Sequence, residues 1–206
     1  MANNIAAEFL RACRKTLLSR LRRSVLPALA SRSGVAAVEM ALAAPMLLTM
    51  LCGTVEISRF VVAHYQAAQM ATTVTDAIAR EDTVNAELVD AIFDLSAQVM
   101  GKDDFSDNGY IILSSVALEE DQTDPTVEWQ CSGGGDFTQM SAIGQVGQTA
   151  TLPGNLTIDE DDDVIVAEVF YEYTPVLSWL PIEDTTIYKT AVFRPRLGAL
   201  TTAPGC

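Results

Sequence analysis

One stretch constrains this chain more than any other. Between Val35 and Val55 the residues are apolar except for Glu39, Thr49 and Thr54, with Pro45 and Gly53 as the breaks in helix-forming composition. As a helix the stretch is about 31 Å long, at about 1.5 Å per residue, and the hydrocarbon core of a bilayer is about 30 Å thick. Glu39 sits about one turn inside. A carboxylate costs about 2.5–3.5 kcal/mol at the centre of such a helix and less near its ends. It either snorkels to the interface or needs a partner. Pro45 removes a backbone hydrogen bond, so a kink or local melting is expected there, unless small neighbours pack around it.

Charge orients the stretch. Ahead of Val35, Arg11, Arg14, Lys15, Arg20, Arg22, Arg23 and Arg32 stand against Glu8, a net of +6. From Val35 onward six basic residues meet 26 acidic ones, a net of −20 hidden inside the formal total of −14. The basic side is expected to stay in the cytoplasm. The acidic remainder is a poor surface for nucleic acid, and no nucleic-acid partner is expected. The segment Glu8 to Arg23 sets leucines and Phe9 among arginines, and Pro27 ends it. It reads equally as a dock on anionic lipid or as a merely positive leader.

An ordinary secretory signal is cut after its apolar region at a small-x-small site. Here Glu56-Ile57-Ser58-Arg59 follows, and Leu51 rather than a small residue precedes Cys52. The remaining choices are an uncleaved anchor or a leader removed before the apolar run.

The second choice has a known form. Gly34-Val35-Ala36-Ala37-Val38-Glu39 resembles a type III, prepilin-type signal. The longer text, from Ser33 through Met40, Leu42 and Pro45 to Gly53-Thr54-Val55-Glu56-Ile57-Ser58-Arg59, resembles the TadE-like family of minor pilins or pseudopilins of the tight-adherence (Flp pilus) secretion system. Tyr171-Glu172-Tyr173-Thr174-Pro175 and Phe193-Arg194-Pro195-Arg196 look similar to the same family. The resemblance implies that a prepilin peptidase of the aspartyl class cuts between Gly34 and Val35. It implies that Glu39, the fifth residue after the cut, pairs with the new α-amine of a neighbouring subunit. It also implies partners: the peptidase, other pilins, the inner-membrane assembly platform and the lipid bilayer.

The rest of the chain predicts an α+β fold. The anchor helix is expected to continue to Arg80 as the spine of an extracytoplasmic domain, since Ile57 to Arg80 lacks Gly and Pro and keeps a helical apolar period. A second helix, capped by Thr83 or Asn85, spans 86–100 with Leu88, Ile92, Leu95 and Val99 on its stripe, and Gly101 stops it. Strands follow at Tyr110–Leu118, Thr126–Cys131, Val164–Tyr173 and Thr185–Arg194. Helices first and strands later point to an antiparallel sheet. Residues 132–154, rich in glycine, read as a surface excursion, and 175–181 as an apolar corner holding Trp179. The domain boundaries read as a basic cytoplasmic leader at 1–34, a transmembrane helix at 35–57 and a pilin-like domain at 58–206, with the helix crossing the bacterial inner membrane once and the domain in the periplasm.

No motif for catalysis is present. There is no Gly-x-Ser-x-Gly, no His-Glu-x-x-His and no Cys-x-x-Cys, and the one histidine, His64, has no partner set. No enzymatic activity, cofactor or metal is expected. Asp104 to Ile111 mimics the opening of a calcium loop, but Ser115 stands where the closing glutamate belongs. The acidic run Asp159 to Asp163 reads as a solvated loop. Cys13 falls in the leader and Cys52 in the span, which leaves Cys131 and Cys206 for an oxidising compartment. A disulfide between them is expected, with two free thiols as the alternative. The function expected is packing and priming of pilus assembly. The rival is an uncleaved single-pass envelope protein whose acidic domain captures a ligand or metal.

Overall fold

The computed structural model describes residues 32–120, 122–177 and 183–206. The basic leader with Cys13, and the Trp179 corner, lie outside the described residues. The chain divides into two compact units, Met1–Thr54 and Val55–Cys206.

Helix α1 covers Arg32–Ile78. It starts three residues before Val35, where the sequence placed its beginning, and stays helical through Pro45. No local melting occurs at that proline. In the first unit its apolar side chains are exposed, Leu42 to 76%. The Thr49 and Thr54 hydroxyls donate to the carbonyls of Pro45 and Met50 at 2.5 and 2.8 Å. These polar atoms therefore need no water, which suits an apolar surrounding.

In the second unit the same helix buries one face. Ala63, Ala67, Met70, Ala71, Val74 and Ile78 are buried at three- and four-residue steps. Helix α2, Ala86–Ala97, is capped by Asn85, whose side chain accepts the Leu88 amide at 2.9 Å. Its buried residues are Val89, Ile92, Phe93, Ser96 and Ala97. Of the expected stripe Leu88, Ile92, Leu95 and Val99, Ile92 is buried and Leu88 and Val99 pack partly buried on the core, while Leu95 is 66% exposed and Val89 and Phe93 take the deeper places. Phe93 has the larger surface to bury, and it lies where a Cβ on Gly133 would come within 3.2 Å of its ring.

A short helix, α3 (Lys102–Asn108), occupies the stretch that mimicked a calcium loop. Its Phe105 is fully buried. The chain then enters β1 through Gly109, where a Cβ would stand 2.3 Å from the Phe105 ring. Only glycine permits that approach.

Strands β1 (Gly109–Leu118), β2 (Thr126–Gly133), β3 (Asp162–Tyr173) and β4 (Thr185–Phe193) form one antiparallel sheet in the order β2-β1-β3-β4. The helices cover one face, over Ile111, Leu113, Trp129, Ile165, Ala167, Val169 and Ile187. The register between β1 and β2 shifts at Ser115/Val116, where Trp129 and Val127 become the successive partners and Glu128 is skipped. This bulge lets Trp129 join the helix-side core while Val127 joins the opposite one.

The opposite face is covered too. Ile143, Ala150, Leu152 and Ile158 pack on Val116, Val164 and Val166. The glycine-rich excursion expected at the surface therefore forms a second core layer. Covering on both faces explains why β3 alternates imperfectly in sequence. Glu168 of β3 is fully buried on this side. Its carboxylate accepts from Ser141 Oγ at 2.5 Å, from the Ala142 amide at 2.9 Å and from Tyr188 Oη at 2.8 Å. Burial, and then that carboxylate, raise the Tyr188 phenol well above its ordinary range.

Candidate processing and assembly segment

Gly34, Val35 and Glu39 all lie in the first turns of α1, and all three are exposed. The bond between Gly34 and Val35 is helical. Glycine is about 1 kcal/mol less favourable than alanine in a helix, so this turn is easier to unwind than its alanine-rich continuation.

A second constellation gathers at the start of the second unit. Glu56, directly after the apolar run, is 1% exposed. Tyr173, at the end of β3, donates its hydroxyl to Glu56 Oε1 at 2.5 Å. The Phe60 ring stands edge-on to Tyr173 at 5.2 Å and to His64 at 4.5 Å between centroids. Burial and then the Glu56 carboxylate push the Tyr173 phenol up, while Arg59 beside it pulls the other way. Two residues earlier on β3, Tyr171 donates to Asp104 Oδ2 at 2.5 Å and stacks on Phe105. Burial and then Asp104 raise the Tyr171 phenol. Reading the sequence did not assign Glu56 or Tyr173 a role. A carboxylate at the edge of an apolar run was the available signal, but its partner is 117 positions away.

The segment 194–206 ties four elements together. The Arg196 amide donates to the Ala79 carbonyl at 2.9 Å, and its guanidinium meets Asp76 at 2.6 Å. The Leu200 carbonyl accepts from Trp129 Nε1 at 2.7 Å, and the Leu200 amide donates to Asp163 Oδ2 at 2.8 Å. The Pro204 carbonyl accepts from the Ala86 amide at 3.1 Å, at the start of α2. Cys206 is bonded to Cys131 of β2, with Cα atoms 5.5 Å apart. Cys52 is a free thiol.

In both acidic stretches, carboxylates are engaged by protein groups. Asp104 is engaged by Tyr171 and Asn108. In the acidic turn Asp162 pairs with Arg194 at 2.7 Å. Among the described residues no group of three or more His, Cys, Asp or Glu is gathered for a metal ion.

A family model described as TadE-like protein matches residues 34–76. That segment is TadE-like. It starts at Gly34 and runs almost to the end of α1, so it carries Val35, Glu39 and Glu56. Tyr173 and the Phe193–Arg196 stretch lie outside it. No curated protein and no solved structure matches the chain. The TadE-like segment links the protein to Tad pili. Among the described residues it also contains the one helix long and apolar enough to cross a membrane, so a membrane-anchored protein fits both observations.

Proposed function

We propose that this chain is a minor pilin or pseudopilin of a tight-adherence, Flp-type pilus. In this reading one pass of α1 anchors it in the bacterial inner membrane, with the N-terminus cytoplasmic and the domain periplasmic. A prepilin peptidase cuts between Gly34 and Val35, at a turn that glycine leaves easy to unwind. The new amine of Val35 carries a positive charge, and Glu39 carries a negative one. On one chain they sit four residues apart. Between chains in an assembly, an amine and a Glu39 from different subunits neutralise each other, which offsets the cost of a carboxylate in lipid. Partners are then other pilins and the assembly platform, and the protein's work is packing and priming.

The observation that carries this reading is the place where the TadE-like match begins: at Gly34, with Glu39 five residues on. N-terminal sequencing and intact mass of the membrane-extracted protein test it. Val35 as first residue is the expected result. An intact basic leader instead favours the uncleaved single-pass envelope protein with a ligand- or metal-capturing domain.

A further inference from the structure

Beyond the membrane stretch, α1 keeps an apolar surface that none of the described residues covers. Ile57 is 61% exposed, Val61 59%, Val62 52% and Tyr65 69%. Ala68, Gln69, Thr72 and Thr73 continue the exposed side. From Phe60 to Thr75 there is no Asp, Glu, Lys or Arg, in a region where acidic residues otherwise abound. The Thr72 and Thr73 hydroxyls are satisfied by the carbonyls of Ala68 and Gln69, at 2.5 and 2.8 Å. They ask little of water. Arg59, the cation just ahead of this stretch, interacts with Tyr173 of the sheet.

We propose that this face of α1, from Ile57 to Thr73, packs against the same face of a second copy of the chain, the two helices parallel. The inference rests on the membrane-anchored reading above and names a partner for it. Lipid alone does not cover the face. Along the helix, Tyr65 is about 15 Å past Val55 and Thr73 about 27 Å past it, at about 1.5 Å per residue. The headgroup layer is only about 6 Å deep on each side, so it reaches little beyond Ile57. Beyond that depth the face is open to a protein surface. Two copies anchored in one membrane emerge in the same direction, so each residue meets its own counterpart. Such pairing sets like charges against each other wherever charges exist, and from Phe60 to Thr73 this face has none; Arg59, exposed in its first turn, interacts with Tyr173 of the sheet. The remainder from Val35 onward carries a net −20, which makes this face the one where two copies approach at least electrostatic cost. Ala68 allows the backbones to come close, and tethering in a shared bilayer raises the effective concentration of the second copy.

The test is cysteine cross-linking of the full chain in membranes, on a Cys52→Ser background. Tyr65→Cys or Ala68→Cys is expected to yield, on mild oxidation, a species of twice the monomer mass. Glu160→Cys, exposed in the acidic turn, is expected to yield several-fold less. Adding Val61→Asp to Tyr65→Cys is expected to abolish the dimer without lowering the thermal midpoint of the detergent-diluted monomer, because Val61 is 59% exposed on the single chain. Equal dimer at Glu160→Cys, an adduct of another mass, or a cross-link indifferent to Val61→Asp overturns the pairing. Carbonate washing of the same membranes separates the two readings. A chain that stays in the pellet without a dimer refutes the pairing alone, and a chain released to the supernatant refutes the anchor and the pairing with it.

Discussion

Glu56 and Glu39 are carboxylates of the same helix with opposite circumstances. Glu56 is buried and meets the Tyr173 hydroxyl within its own domain. Removing that donor leaves a buried acceptor short of a partner, at a cost of about 1–3 kcal/mol. Tyr173→Phe is therefore expected to lower the melting temperature of the extracted protein, and Glu56→Gln, which keeps an acceptor, to lower it less. Equal losses would mean that shape, not the hydrogen bond, is what matters there. Glu39 is exposed, so its proposed partner lies on another chain. Glu39→Ala is expected to be inserted and cleaved normally yet to fail in pilus assembly; wild-type piliation would remove the assigned role. Asp163 presents a third case. Burial raises its pKa above the ordinary 3.8, against the pull of the Leu200 amide. Its folded form holds the proton more tightly than the unfolded form, so its contribution to stability falls as pH rises from about 3.8 through the folded pKa. Asp163→Asn keeps an acceptor for Leu200 and removes that penalty. The variant is expected to melt no lower than the parent at pH 7, and a clear loss there would show that the negative charge itself is needed.

At the scale of elements, packing set orientation and local sequence set identity. The α2 segment was recognisable by a cap at Thr83 or Asn85 and by its period, and the expected stripe met the core through Leu88, Ile92 and Val99 but not through Leu95. Phe93 took a deeper place because that ring had a core to enter beside Gly133. The β2 bulge is similar. Strict alternation would put Val127 and Trp129 on one face, and the skipped Glu128 separates them between two cores. The segment 194–206 has no regular structure, yet it joins α1, the start of α2, β2 and β3 through backbone and side-chain hydrogen bonds and the Cys131–Cys206 bond. The two cysteines are 75 positions apart, and the chain-entropy account assigns a loop of that size roughly 4 kcal/mol of stabilisation. Cys206→Ser is expected to lower the thermal midpoint by an amount close to that produced by reductant on the parent protein. Reductant is expected to have no further effect on the variant. A parent midpoint indifferent to reductant would count against the bond as a stabiliser.

At the scale of the whole molecule, the proposed cut divides the chain into a basic leader and an acidic mature protein. A side chain at residue 34 is expected to obstruct the peptidase at the membrane edge. Gly34→Leu should accumulate full-length precursor in the membrane, read as an unshifted band and an intact leader by mass; normal processing would argue strongly against the assignment. The sequence by itself determined the membrane-length helix, the Gly34 and Glu39 spacing, the α+β class and the four strands to within a few residues. These features rest on local composition and period, and such information lies along the chain. Tertiary structure alone decided that residues 134–161 close the second face of the sheet. It also decided that Asp104 meets the Tyr171 hydroxyl, that Glu168 holds the covering loop, and that Glu56 finds Tyr173. Each of these depends on which distant groups share a dry space. A buried carboxylate looks the same in sequence as a solvated one, and it is the cost of leaving it without a hydrogen-bond donor there that selects its partner.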